Sequence, residues 1–153
     1  SIPRLINMGM EPFVVAPALD TLIAQRLVRR VCKECGTLEP ITDRERKEFE
    51  EAFKDLQETN PKLVPKIPEQ VYHAKGCGKC SQTGYTGRLV IAEIVSVDDE
   101  MKELILQNAS VGKILELARK KGFISMKENG FMKAAEGHTT IEEIHRVVRV
   151  SEE

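Results

Sequence analysis

Apolar residues are spaced in three ways along this 153-residue chain, and each spacing predicts a kind of element. Residues 2–8 and 11–19 read as short helical pieces broken at Gly9, with Pro12 tolerated near a helix start and Leu5, Met8, Phe13 and Val14 placed to face a core. The stretch Leu22-Ile-Ala-Gln-Arg-Leu-Val-Arg-Arg-Val31 fits neither period cleanly, but its β-branched and apolar content favours a strand. Arg88-Leu-Val-Ile-Ala-Glu-Ile-Val95, preceded by a turn at Gly84-Tyr-Thr-Gly87, is the clearest strand and is expected to pair beside residues 22–31.

Helical signals occupy the middle and the last third. Thr42-Asp-Arg-Glu45 is a capping-box pattern, and Phe49, Phe53 and Leu56 at i, i+4 and i+7 give the helix after it one packing face. Asn60-Pro61, Pro65 and Pro68 forbid regular helix and predict an extended connector, followed by a short strand at Val71-Tyr-His-Ala74. Beyond it, Asp98 or Asp99, Ser110, Ser125 and Thr139 are placed to cap four short amphipathic helices, which are expected to pack as a small bundle.

Composition narrows the class. A hydrophobic content of 41% supports a real core, and 23 Lys plus Arg against 24 Asp plus Glu leave no general drive toward nucleic acid or anionic membrane. No apolar run approaches the roughly 20 residues that span a bilayer, and the start lacks the regions of a secretory signal. The expected location is therefore cytoplasmic. A start at Ser1 rather than Met points to a piece of a longer protein.

The cysteines change the picture most. Cys32-Lys-Glu-Cys35 and Cys77-Gly-Lys-Cys80 are two knuckles separated by 41 residues (36–76), and four thiolates at this spacing can surround one zinc ion. Cys32, Cys35, Cys77 and Cys80 are thus the expected ligands of a structural Zn2+. Two alternatives stand beside zinc: disulfides, which need an oxidising compartment, and a redox pair at Cys77 and Cys80, which normally opens a helix rather than the turn predicted at Ser81-Gln-Thr-Gly84. Each knuckle adjoins a predicted strand, so residues 32–80 read as an insertion pinned at its base by the metal. The fold class expected is α+β: a small β element with a zinc-clamped insertion, then a C-terminal bundle of short helices. The segments are 1–31, 32–80, 81–97 and 98–153.

Catalytic signals are missing from this sequence. It contains no Gly-x-x-x-x-Gly-Lys-Ser/Thr phosphate loop, and Gly112-Lys113-Ile114 lacks both the preceding glycine and the hydroxyl. His73 lies near the second knuckle, but four cysteines already complete a site; it and His138 and His145 read as packing or solvated histidines. Arg26, Arg29, Arg30 and Lys33 form a basic cluster that reads first as a solvated strand face. Its sharper reading, a free-standing zinc-knuckle module for RNA or DNA, has only Tyr72 and Tyr85 as nearby stacking aromatics.

Taken together, Ile2-Pro-Arg-Leu-Ile-Asn-Met-Gly-Met-Glu-Pro-Phe13, Ala24-Gln-Arg-Leu-Val-Arg29, the paired knuckles, Gly84-Tyr-Thr-Gly-Arg88 and Glu136-Gly-His-Thr-Thr-Ile-Glu-Glu143 resemble, in order and over the full length, the C-terminal part of the type II secretion and type IV pilus assembly ATPases. The tetracysteine element marks the assembly and secretion branch; the retraction ATPases of pili lack it. The resemblance implies the end of a RecA-like motor core, in a homo-hexamer that hydrolyses ATP and works through an inner-membrane platform protein. It also implies that ATP and Mg2+ bind the parent protein only, through motifs upstream of Ser1, with no catalytic residue in this chain and no nucleic-acid partner. Residues 40–68 match no motif of the family.

Overall fold

In the computed structural model, residues 2–149 are described. Ser1 and residues 150–153, the ends of the first and last expected segments, lie outside them. The elements in chain order are α1 (Ile2–Asn7), α2 (Pro12–Ala18), β1 (Thr21–Val31), β2 (Thr37–Pro40), α3 (Asp43–Thr59), a 3-10 turn (Pro61–Leu63), β3 (Gln70–His73), a second 3-10 turn (Gly78–Cys80), β4 (Tyr85–Ser96), α4 (Asp99–Leu106), α5 (Val111–Lys120), α6 (Met126–Ala135) and α7 (Ile141–Arg149). β1 pairs with β4, as the sequence predicts. β2 pairs antiparallel with β3, from Thr37 opposite His73 to Pro40 opposite Gln70.

Two compact units account for these contacts. The first comprises Ser1–Ile23 with Ile94–Phe123. Its core is Ile2, Val15, Ala16, Val97, Met101, Ile105 and Ala118. Here the expected inward set changes: Leu5 packs against the core, but Met8 (72% exposed), Phe13 (67%) and Val14 are exposed, and Val15 and Ala16 are buried instead. Asp98 caps α4 by accepting from the Met101 N–H. Lys121 pairs with both Asp98 and Glu100, so it ties the end of α5 to the start of α4.

The second unit comprises Ala24–Glu93 with Ile124–Glu153. Its core joins the strands (Val28, Ile91), α3 (Phe49, Phe53, Leu56), β3 (Val71) and α6 with α7 (Phe131, Ile141, Ile144, Val147). Phe131 meets Phe49 edge-on at 5.2 Å and Phe53 at 6.4 Å, the T-shaped geometry that ring quadrupoles favour. The helices after residue 98 are therefore shared out: α4 and α5 belong to the first unit, α6 and α7 to the second. Each pair finds apolar partners outside the other pair, which four helical signals in a row do not reveal.

Local chemistry explains the helix starts. The Thr42 hydroxyl oxygen accepts from the Glu45 N–H, and Glu45 accepts back from the Thr42 N–H, so two of the open donors at the start of α3 are met. Ser125 and Glu128 do the same for α6. At α7 the capping residue is Thr140, not Thr139: the Glu143 N–H donates to the Thr140 hydroxyl oxygen, while the buried Thr139 hydroxyl donates to the Arg29 carbonyl on β1. Thr42→Ala is expected to lower stability by about 1 kcal/mol, read as a fall in Tm of about 2–4 °C in thermal melts of this chain.

Candidate metal centre

The knuckles form at two tight turns beside the junction of β1 with β4. The Cys32 N–H donates to the Gly84 carbonyl at 2.9 Å and holds the two knuckles side by side. In the first, the Gly36 N–H closes back on the Cys32 carbonyl at 2.8 Å. In the second, the Cys80 N–H turns back to the Cys77 carbonyl, and Ser81 and Gln82 follow with φ of 52° and 64°. This left-handed pair ends the turn at once, so Cys77 and Cys80 do not open an α-helix, as a redox pair of this spacing normally would.

The turns bring all four expected ligands together, with their Sγ atoms within 4.8 Å of one another. Sγ of Cys32 lies 4.0 Å from that of Cys77, and Sγ of Cys80 lies 3.7 Å from those of both Cys35 and Cys77. A disulfide would require about 2.05 Å. Four thiolates around zinc, each at about 2.3 Å, form a tetrahedron with edges of about 3.8 Å. The spacing thus fits a zinc tetrathiolate, and all four positions of such a site would be filled by protein.

Peptide N–H groups aim at the sulfurs. Gly76 donates to Cys35 Sγ at 3.3 Å, and Cys77 and Gly84 donate to Cys80 Sγ at 3.1 and 3.2 Å. Gly76 (φ 121°) and Gly84 (φ 76°) make this possible, since a Cβ would fall 2.8 Å from the Gln82 carbonyl oxygen at the first and 2.7 Å from Ala74 Cβ at the second. Burial raises the Cys80 thiol, but the Cys77 and Gly84 donors outweigh it and hold the group at about 6. The Glu34 N–H leads in lowering Cys32, whereas burial pushes Cys35 up to about 12. The donors therefore favour charge on Cys32 and Cys80, one sulfur from each knuckle, and a cation is what would keep Cys35 ionised.

A second polar assembly lies along the same unit, and spacing alone did not announce it. Arg29, expected to share a basic face with Arg26, Arg30 and Lys33, is drawn away from them. Its N–H donates to one Glu143 oxygen at 2.9 Å, and its Nε and Nη2 to the other at 3.0 and 2.6 Å. Arg146 grips the same carboxylate through Nε and Nη2, and the Arg29 guanidinium stacks 4.2 Å from the Tyr85 ring centre. Tyr85 in turn bonds Thr140. Although burial works to raise it, these donors hold the Glu143 carboxyl at about 2. Arg26, Arg30 and Lys33 remain exposed.

The histidines scatter as well. His145 contacts Glu48 at 2.9 Å, His138 lies beside Glu136, and His73 is not a member of the four-sulfur cluster. No helix among the described residues is long and apolar enough to cross a membrane.

A mixed α+β fold with four clustered cysteines and motifs in this order defines a secretion-ATPase type of domain. The comparison with known families agrees: the family described as type II/IV secretion system protein matches residues 1–146, and the chain belongs to that family. It is 38% identical over 144 residues to the type IV pilus assembly ATPase PilB of Thermus thermophilus, covering 94% of this chain and 15% of the relative. It is also 38% identical over 149 residues to the type II secretion system protein E of Pseudomonas aeruginosa, covering 97% and 27%. With the type II secretion system ATPase E of Vibrio cholerae the identity is 34% over 151 residues, covering 99% and 27%. The chain thus spans about a quarter or less of the length of these relatives.

Proposed function

We propose that this chain is the zinc-bearing C-terminal portion of a motor ATPase that powers type IV pilus assembly or type II protein secretion. Cys32, Cys35, Cys77 and Cys80 are its structural zinc ligands, and residues 32–80 act as the zinc-clamped insertion. The observation that carries the reading is the four-sulfur cluster, at zinc spacing, in a chain of this family. The portion itself is non-catalytic: its sequence has no phosphate loop, and ATP and Mg2+ bind elsewhere in the parent protein.

In the parent, the portion supports packing of a homo-hexamer and contact with an inner-membrane platform protein from the cytoplasmic side. Support comes from the relatives, whose names assign them to pilus assembly and to type II secretion. The purified chain is expected to turn over no ATP above a contaminant control. Genuine turnover that co-purifies with the chain and persists through a second chromatographic step would overturn this reading.

A further inference from the structure

We infer that Glu45, His73 and Glu142 form a second cation site, suited to a divalent first-row metal ion bound by one imidazole and two carboxylates. The three come from separate elements: the first turn of α3, β3 and the first turn of α7. One ligand atom from each lies within 4.8 Å of the other two. His73 Nε2 stands 3.4 Å from Glu45 Oε1. Two ligands bound to one ion at about 2.1 Å with an angle of about 108° have that separation.

Two further features point to a cation here. The Glu45 carboxylate is held from behind, since its Oε2 accepts from the Thr42 N–H at 2.8 Å and the Thr42 hydroxyl at 2.6 Å, which leaves Oε1 aimed at the imidazole. Such outer hydrogen bonds are what orient metal-binding carboxylates. The imidazole faces acceptors on both sides, with Nδ1 lying 3.8 Å from Glu142 Oε1. One imidazole and two carboxylates thus stand within reach of one another, a donor set that suits a divalent cation. Glu39, which also feels His73, pairs with Lys75 at 3.6 Å, so those two charges offset each other. Glu142 is the adjustable member, with a side chain 65% exposed.

Mn2+ is the probe of choice because it prefers oxygen and nitrogen donors and leaves a tetrathiolate site alone. The zinc-loaded chain is titrated with MnCl2, and free Mn2+ is counted by electron paramagnetic resonance. One Mn2+ per chain is expected, with a rise in Tm on binding. His73→Ala should abolish both effects, and Glu142→Gln, at an exposed position that leaves the fold intact, should weaken binding about 10- to 100-fold. Absence of binding to the unaltered chain at millimolar Mn2+, or undiminished binding by Glu142→Gln, would overturn the site whatever the cysteines hold.

Discussion

Stripping zinc from this chain with a strong chelator is expected to lower its Tm by more than about 10 °C, the largest effect foreseen for any single perturbation here. Structural zinc contributes about 10 to 16 kcal/mol in small zinc-binding peptides, against a total stability of about 5 to 15 kcal/mol for an ordinary domain. Not all of that would be lost. The second unit keeps a hydrophobic core of Phe49, Leu56, Ile91, Phe131 and Ile144 that includes no cysteine. The damage should therefore begin locally, at residues 32–36 and 76–84, where four thiols and three sulfur-directed N–H groups would face one another without a counterion.

Hydrogen exchange can separate the regions. The N–H groups of Gly76, Cys77 and Gly84, which donate to Cys35 and Cys80, should lose protection on chelation, while those of α3 and α6 keep most of theirs. Cys80→Ser should reproduce the effect without a chelator, because the buried sulfur accepting two of these donors would be gone. An unchanged melt and unchanged exchange after complete metal removal would show that the turns stand without an ion.

The second large effect concerns Glu143. Its side chain is fully buried and accepts five hydrogen bonds from Arg29 and Arg146. Glu143→Gln removes the charge that both guanidiniums share. Losing one partner of a buried ion pair costs about 3–5 kcal/mol, and the partial exposure of both arginines, which lets them regain water, brings the expectation to about 3 kcal/mol.

The same carboxylate should shape the acid limb of stability. Its folded value of about 2 lies below the ordinary 4.5. A group depressed by folding gives its full contribution above the unfolded value and loses it as pH falls through the folded one. The loss should therefore run from about pH 4.5 down to about pH 2 and total about 3 kcal/mol. Denaturant unfolding across that range should show a shallower fall for Glu143→Gln than for the unaltered chain. Parallel curves for the two proteins would assign the acid sensitivity to other groups.

The parts of the fold legible in sequence are those whose causes are local. α3 announces itself because its capping box and its Phe49, Phe53 and Leu56 stripe fall within one segment. β4 does so through its β-branched run, whereas β1, which fits neither period cleanly, is read from its β-branched and apolar content alone. β2 is different: Thr37–Pro40 is a strand only because Gln70–His73 lies beside it. Likewise, nothing local distinguishes Thr139 from Thr140 as the cap of α7; the Arg29 carbonyl, 110 residues away, claims the first hydroxyl and leaves the second to the helix. Met8, Phe13 and Val14 fit an inward face by spacing, yet Val15 and Ala16 are the residues that pack.

The candidate metal centre divides the same way. Its four sulfurs were legible because two short spacings suffice to name them. The donors that steer the sulfurs were not, since Gly76 and Gly84 matter through positive φ and close approach rather than through any side chain. The role of Arg29 is hidden within a cluster of four cations, and only the fold shows that this one, still partly exposed, turns to Glu143. The resemblance motifs Ala24–Arg29 and Glu136–Glu143 thereby gain a physical basis: they supply the two ends of one buried ion-pair network and the Thr139 bond beside it.

The most direct measurement is metal analysis of the purified chain joined to X-ray absorption at the zinc edge. The account predicts one zinc per chain with four sulfur neighbours at about 2.3 Å and no nitrogen or oxygen in the inner shell. A chain carrying well under one zinc, or zinc with fewer than four sulfurs, would contradict it.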